Sequence, residues 1–267
     1  MNDLITPELI RAHVGPTQIL REYRVFPEIG STNTYLREEA RHEAEGLVVV
    51  AEYQTAGRGR QGRSWVAPRG GSVHCSVLLR PPLLPPDLYL LTAACSLAVR
   101  DALAPLVTAP PQIKWPNDVL LEGCKVCGIL TEVDLPHGES PRAVLGFGVN
   151  VHLAPPPDIA PNATCAAQHA SRPVTRLDIL AGTLRHYDAL LAMLYNGGTD
   201  AVWQAWRMGL YTVGRRVRVR DTAAGSREGI ALDVSRDGGL LLQTERGIPP
   251  QVIYAGDAIE DPHPAAS

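Results

Sequence analysis

Apolar and polar positions along this chain switch repeatedly between a helical period and a strand period, and each switch marks an element. "TPELIRAHV" spaces its apolar residues as a short helix, and "EYRVFPEI" reads as a strand leading into the turn "GSTN". Ser31 or Thr32 then caps a helix predicted through "TYLREEARHEA" to Gly46, with acids and Arg on its outer face. The unbroken apolar run "LVVVAEY" is a buried strand, and "SVHCSVLLR" is another. After "PPLLPP" comes a strongly apolar helix from about Asp87 to Leu103. Four β-type runs follow, "QIKWPND", "VLLEG", "KVCGILTEVD" and "RAVLGFGVNVHL", separated by turn residues as in an antiparallel meander. "APPPDIAPNAT" is loop, and helices are expected over Leu177 to Tyr195 and Thr199 to Met208. Beyond Tyr211 the chain turns to short strands, "RRVRVRD", "EGIALDVS", "GLLLQTE" and "QVIYAGDAIE", which suggest a small barrel. A boundary near Tyr211 divides a unit over 1–211 from one over 212–262, with 263–267 expected to be a disordered tail.

Composition narrows the function. At 267 residues with 45% apolar content the chain buries a real core. A net charge of −3 gives it no general field for polyanions, so its basic character is local. There is no h-region at the amino terminus and no stretch near the ~20 apolar residues of a membrane span, so the expected compartment is the cytoplasm. The five cysteines are scattered and odd in number, unlike a disulfide framework. Cys124 and Cys127 form a lone C-x-x-C. In a regular strand they point to opposite faces about 10 Å apart, beyond the ~7 Å limit for a bridge, and no second Cys/His pair lies nearby to complete a tetrahedral metal site, so both readings are disfavoured. His74 and His152 sit in strand patterns without an acidic or Cys partner at ligand spacing and read as structural. "RRVRVR" reads as an edge strand with one solvated face, and "PPLLPP" as the lead into a helix.

The chemistry gathers in polar segments that interrupt apolar strands. "AGRGRQGRSW" sets Arg58, Arg60 and Arg63 among glycines and ends on Trp65. Gly-rich chain with unpaired Arg belongs in a loop, holding either nucleic acid or one small anionic ligand. Lys125 interrupts a strand otherwise apolar, so it reaches water or faces an anion, and the anion is the better reading. "GFGVN" puts two glycines where something can approach a strand backbone, ahead of an Asn amide.

Taken in order, "STN", "QTAGRGRQGRSW", "KWPND", "K-x-x-GIL-x-E" and "G-x-GVN" resemble the biotin protein ligases from about Glu28 to Leu153, with a looser likeness through a C-terminal SH3-like barrel. The resemblance implies an α+β fold with a mixed, mainly antiparallel sheet carrying helices, plus that small barrel. It implies ATP-dependent activation of biotin to biotinyl-5′-AMP with release of pyrophosphate, then transfer to one lysine of a biotin carboxyl carrier domain. Biotin is then a substrate, ATP and Mg²⁺ are required, and no tightly bound prosthetic group is expected.

By the same resemblance Lys125 and Arg60 are catalytic. Ser31, Thr32, Asn33 and Gln54 hydrogen-bond the ureido ring, with Arg58, Gly59, Arg60, Lys125 and Gly128 completing the biotin site. Arg58, Arg60, Arg63, Trp65, Lys114, Asn117 and Asn150 face the nucleotide, and Asp118 is a candidate Mg²⁺ ligand or else a backbone cap in a rigid turn. Gln61 stands where many bacterial members carry another Arg. The stretch before Tyr23 is shorter than the ~50 residues of a domain, so no winged helix is expected ahead of the core and DNA is not an expected partner. The resemblance leaves room for a homodimer through an edge strand. The related lipoate ligases share the adenylation logic, and a nucleic-acid-binding protein using the Arg/Gly loop is the reading from another class.

Overall fold

The computed structural model describes residues 3–137, 140–221, 225–245, 247–254 and 256–260. The tail expected to be disordered lies outside them. Helix α1 (Pro7–Val14) begins where the Thr6 side chain accepts the Leu9 N–H and Pro7 presets the first turn. Strand β1 (Glu22–Phe26) follows. Helix α2 (Thr32–Glu38) is capped by Ser31, whose Oγ accepts the Thr34 N–H.

The helix expected to continue to Gly46 stops eight residues early. Contacts elsewhere in the chain take over the remaining segment: Glu43 pairs with Arg24, and Glu45 accepts from Arg80 N–H and Tyr195 OH. Gly46 takes a left-handed φ of 86° and donates to Leu78 O, turning the chain into β2 (Leu47–Ala51).

The rest of the core follows the pattern: β3 (Ser72–Leu79), α3 (Leu90–Leu103), β4 (Gln112–Lys114), β5 (Asp118–Leu121), β6 (Cys124–Asp134), β7 (Arg142–Asn150), α4 (Arg176–Tyr195) and α5 (Thr199–Met208). These strands form one seven-stranded sheet in the order β1-β2-β3-β7-β6-β5-β4. Only the β1–β2 pair is parallel. One face of the sheet, through Val73, Cys75, Val77, Phe147, Val149 and Ile129, shares a core with α3 and α4. On the other face Leu78, Val49 and Val144 pack with Leu36 of α2, covering only part of the sheet.

Pairing aligns one row of residues across that second face: Ala51, His74, Gly148, Gly128, Asp118 and Lys114 are successive neighbours. Its middle members have no side chain beyond hydrogen, which leaves a trough beside α2.

A β-bulge in β6 decides what reaches the trough. Leu120 pairs with Lys125 and Val119 with Cys127, so Val126 is an extra residue and the alternation of faces shifts by one. Lys125 therefore joins Gly128 on the trough side, where a Cβ at Gly128 would lie 3.0 Å from the Lys125 Nζ. The same shift overturns the opposite-face argument for Cys124 and Cys127, although both remain free thiols.

Strands β8 (Arg216–Asp221), β9 (Gly225–Val234), β10 (Leu240–Gln243), β11 (Gln251–Ile253) and β12 (Asp257–Glu260) make a second, five-stranded sheet in the order β11-β10-β9-β8-β12. The expected small barrel is an open sheet, since no pairing joins β11 to β12 among the described residues. β8 is flanked by β9 and β12, so "RRVRVR" is an inner strand rather than an edge. Its one-sided burial holds, with Val217 and Val219 inside.

This sheet is sewn to the first around Trp115, whose N–H donates to Thr212 Oγ1 (2.9 Å) and whose indole Nε1 donates to Gly238 O (3.0 Å). Among the described residues no helix is long and apolar enough to cross a membrane.

Candidate active site

The trough opens into a cavity of about 370 Å³ whose lining brings together every residue singled out above as a candidate for ligand or metal. α2, the turn before it and β3 furnish its polar end. Gln54 Oε1 accepts the Thr32 N–H (2.8 Å), which fixes the amide and turns its nitrogen away from Thr32. The Ser76 hydroxyl stands 2.7 Å from Thr32 Oγ1 and donates to Asn33 Oδ1 at 2.6 Å. Asn33 Nδ2 donates to Glu132 Oε2 at 2.9 Å. Glu132 also pairs with Arg37 (2.6 Å) and Arg58 (3.1 Å).

The result is a continuous chain from Gln54 to the loop arginine. Thr32, Asn33 and Ser76 are buried, Gln54 and Glu132 half-buried, and all are already hydrogen-bonded, so their remaining donors and acceptors are presented at fixed positions. Ser31, the cap of α2, lies beside them.

The two glycines of "GFGVN" show what approaches the β7 backbone. A Cβ at Gly146 would collide with Asn33 Oδ1, and one at Gly148 with the Trp65 indole. Trp65 thus lies flat over the glycine floor of the trough, and its Nε1 is buried without a hydrogen-bond partner. The Lys125 Nζ stands 5.7 Å above the centre of a Trp65 ring.

The Arg/Gly loop crosses the cavity as a lid. It is folded on itself by Gly59 N–H to Arg63 O (2.7 Å) and Trp65 N–H to Gly57 O (2.9 Å). Gln61 takes a left-handed φ of 56° between the arginines, a turn unfavourable for a bulky side chain.

The three arginines do not act alike. Arg58 is paired with Glu132, and Arg63 with Asp257 of the second sheet at 2.6 Å. Arg60 donates to the Asn117 Oδ1 amide oxygen at 2.8 Å, and no carboxylate forms an ion pair with it among the described residues. Burial pushes its guanidinium below the ordinary arginine value, partly offset by the more distant Asp257 and Asp118.

Lys125 pairs with Asp118 at 2.6 Å, on an oxygen that receives no aligned hydrogen bond. Lys114, opposite Asp118 in the β4–β5 hairpin, lines the cavity without a carboxylate partner among the described residues. Resting charge is thus balanced at Arg58, Arg63 and Lys125, and left open at Arg60 and Lys114.

At the far end Asn150 Nδ2 donates to Thr164 O, and the segment after β7 is stitched to Lys125 by two backbone bonds, Lys125 N–H to Asn162 O and Thr164 N–H to Lys125 O. Pro155, Ile159, Ala160 and Ala163 of that segment form an apolar wall that loop composition alone did not disclose. Sequence reading also passed over Ser76, Glu132 and Asp257. Glu132 closes the motif "K-x-x-GIL-x-E" and was there to be found, whereas Asp257 lies far along the chain in another sheet.

The pairing with Lys125 argues against Asp118 as a metal ligand. Among the described residues no three His, Cys, Asp or Glu side chains group to hold an ion by themselves. His74, set in the same row, is a buried structural histidine as expected, its pKa driven down by desolvation to about 4. His152 does find an acid that spacing could not reveal, Asp3 at 2.9 Å.

Comparison with known proteins bears on the same residues. Residues 25–150 match the Biotin/lipoate A/B protein ligase family, and residues 212–259 match the Biotin protein ligase C terminal domain. The chain is 37% identical over 252 residues to a biotin--[acetyl-CoA-carboxylase] ligase of Mycobacterium tuberculosis, covering 92% of this chain and 91% of that protein. It is 31% identical to the bifunctional ligase/repressor BirA of Bacillus subtilis, over 90% of this chain and 75% of that one. Among solved structures, biotin protein ligase from Aquifex aeolicus in complex with biotin and ATP matches with a TM-score of 0.76 at 26% identity, covering 90% of this chain and 98% of that chain.

Proposed function

The chain belongs to the biotin protein ligase family, and we propose from that membership how its cavity activates biotin with ATP and passes it on. The enzyme forms biotinyl-5′-AMP and pyrophosphate, then transfers the biotinyl group to a lysine. We assign that lysine to a carboxyl carrier domain of a biotin-dependent carboxylase. Residues 1–211 are taken as the catalytic unit and 212–262 as the accessory one.

The observation that carries the site reading is the uncompensated charge at Arg60 and Lys114 inside a lidded cavity. Adenylation brings a carboxylate onto an α-phosphate. At about 4 Å and an effective dielectric near 20, two such charges repel by about 4 kcal/mol. Arg60, more buried than Arg58 and Arg63 and, among the described residues, with its guanidinium bound to an amide rather than a carboxylate, is ready to accept both anions, and Lys114 extends the positive surface toward the phosphates. Lys125 contributes once an incoming anion competes with Asp118 for its ammonium.

The ureido ring, with two N–H donors and a carbonyl, matches the Gln54–Thr32–Ser76–Asn33 chain, with Ser31 at its edge. Trp65 and the apolar wall cover the valeryl chain and the nucleotide, with Asn117 and Asn150 at the nucleotide end. Lid residues from Arg58 to Trp65 then keep water from the mixed anhydride until the acceptor amine attacks its carbonyl and AMP leaves.

Among the described residues no three protein ligands group for Mg²⁺, the usual companion of ATP, and none of these steps is routed through it. The test is mass spectrometry of a carrier domain incubated with the protein, ATP, Mg²⁺ and biotin. One added biotinyl group is expected, none when lipoate replaces biotin, and an unmodified carrier overturns the reading.

A further inference from the structure

The lid is pinned at two places, and they differ in kind. At its start Arg58 pairs with Glu132 on β6, within the same sheet that forms the floor. At its end Arg63 reaches Asp257, which begins β12 of the second sheet and lines the cavity from the opposite side. Arg63 also folds back on the loop, donating from Nε to Arg60 O (3.3 Å) and from Nη2 to Gln61 Oε1 (3.4 Å). Whatever holds the Arg63 guanidinium therefore holds the backbone of Arg60, the residue with the open charge.

Asp257 is about half enclosed. Burial alone would raise its carboxyl, yet the hydrogen bond and charge of Arg63, with Arg60 and Lys125 behind, carry it below the ordinary value. It is thus ionised throughout the neutral range. The preceding residue, Gly256, has a φ of 135° and room for no side chain: a Cβ there would meet Val219 at 2.6 Å. The turn that presents Asp257 is therefore packed tightly against β8.

We propose that Asp257 is a positioning residue for the lid, and that the C-terminal sheet serves catalysis by latching Arg63 so that Arg60 stays over the reacting anions. The inference rests on the ligase reading for its catalytic part and on geometry alone for its mechanical part. Arg58 and Arg63 are the clasps, and Arg60 between them does the chemistry. Arg63 and Asp257 are both partly exposed, so the latch is screened by salt and releasable, as a lid over an intermediate must be.

The test compares wild type with Asp257→Asn, an isosteric change that keeps the strand, and with the charge swap Arg63→Asp/Asp257→Arg. In the ligand-free protein, trypsin is expected to cut the lid after Arg58, Arg60 or Arg63 faster in Asp257→Asn, by about two- to fivefold. With biotin and ATP, escape of biotinyl-5′-AMP from the enzyme rises by a similar factor while the KM for biotin in pyrophosphate exchange moves less. Rising salt speeds escape from wild type but not from Asp257→Asn, and the swap recovers retention.

Unchanged proteolysis and retention in Asp257→Asn, or a swap that leaks as badly as Asp257→Asn, overturns the latch. Wild type that makes no adenylate at all refutes the ligase reading instead, and the proteolysis result still decides the latch.

Discussion

Gly146→Ala is the change whose outcome the structure specifies most closely. Gly146 needs no left-handed backbone, so alanine fits the strand, and the added methyl meets only what lies over the trough. It would collide with Asn33 Oδ1 and come within 3.1 Å of Ser76 Oγ. Asn33 must swing away, surrendering its hydrogen bonds with Ser76 (2.6 Å) and Glu132 (2.9 Å). Two such bonds at about 0.5–1.5 kcal/mol each amount to about 1–3 kcal/mol of organisation of the ureido site, or roughly 5- to 150-fold in the KM for biotin.

Biotin-dependent exchange of labelled pyrophosphate into ATP measures this, with thermal melting to confirm the fold. The decisive step is a cycle with Asn33→Ala. Once the carboxamide is gone the methyl meets only the Ser76 hydroxyl at 3.1 Å, which needs to give by a few tenths of an ångström, so Gly146→Ala/Asn33→Ala should bind biotin little worse than Asn33→Ala alone. Additive losses, within about 0.5 kcal/mol, would show that Gly146 acts by some route other than Asn33 and would refute the reasoning.

Other expectations are simpler to read. Lys125→Ala should lower adenylate formation by about 10²- to 10³-fold with an unchanged melting temperature, because it removes a cation and exposes Asp118 to the phosphates; adding Asp118→Asn should restore part of the loss in the same exchange assay. Arg60→Gly should shorten retention of biotinyl-5′-AMP on the enzyme more than it raises the biotin Kd, and equal losses in gel filtration and calorimetry would contradict its place over the phosphate. His74 has a folded pKa of about 4 against an ordinary 6.5, so the unfolded chain binds the extra proton first. Its neutral burial is then fully compatible with folding above about pH 6.5 and costs about 3 kcal/mol as pH falls toward 4, a dependence His74→Gln should flatten in denaturant titrations.

Much of this architecture is legible in single residues and their spacing. α5 runs over Thr199–Met208 as its period indicates, and the four β-type runs between Gln112 and Asn150 form a meander because short turns force neighbours in sequence to pair. The polar segments that break those strands do line one cavity, since a polar group inside an apolar strand has few other places to go.

What the tertiary structure decided depends on pairing between distant segments. Glu43 and Glu45 are good helix formers, but partners on β1, just after β3 and on α4 draw them out of α2. "RRVRVR" has the look of an edge, yet β12 arrives from the far end of the chain to cover it. One extra residue at Val126 puts Lys125 on the side of the trough, and no periodicity reveals a bulge whose partner strand is unknown. The sharpest case is the lid: sequence alone establishes three arginines on a glycine-rich loop that needs an anion. Only folding settles that Glu132 and Asp257 neutralise the outer two and leave Arg60 open, because a charge takes its counter-ion from whatever the whole chain brings within a few ångströms.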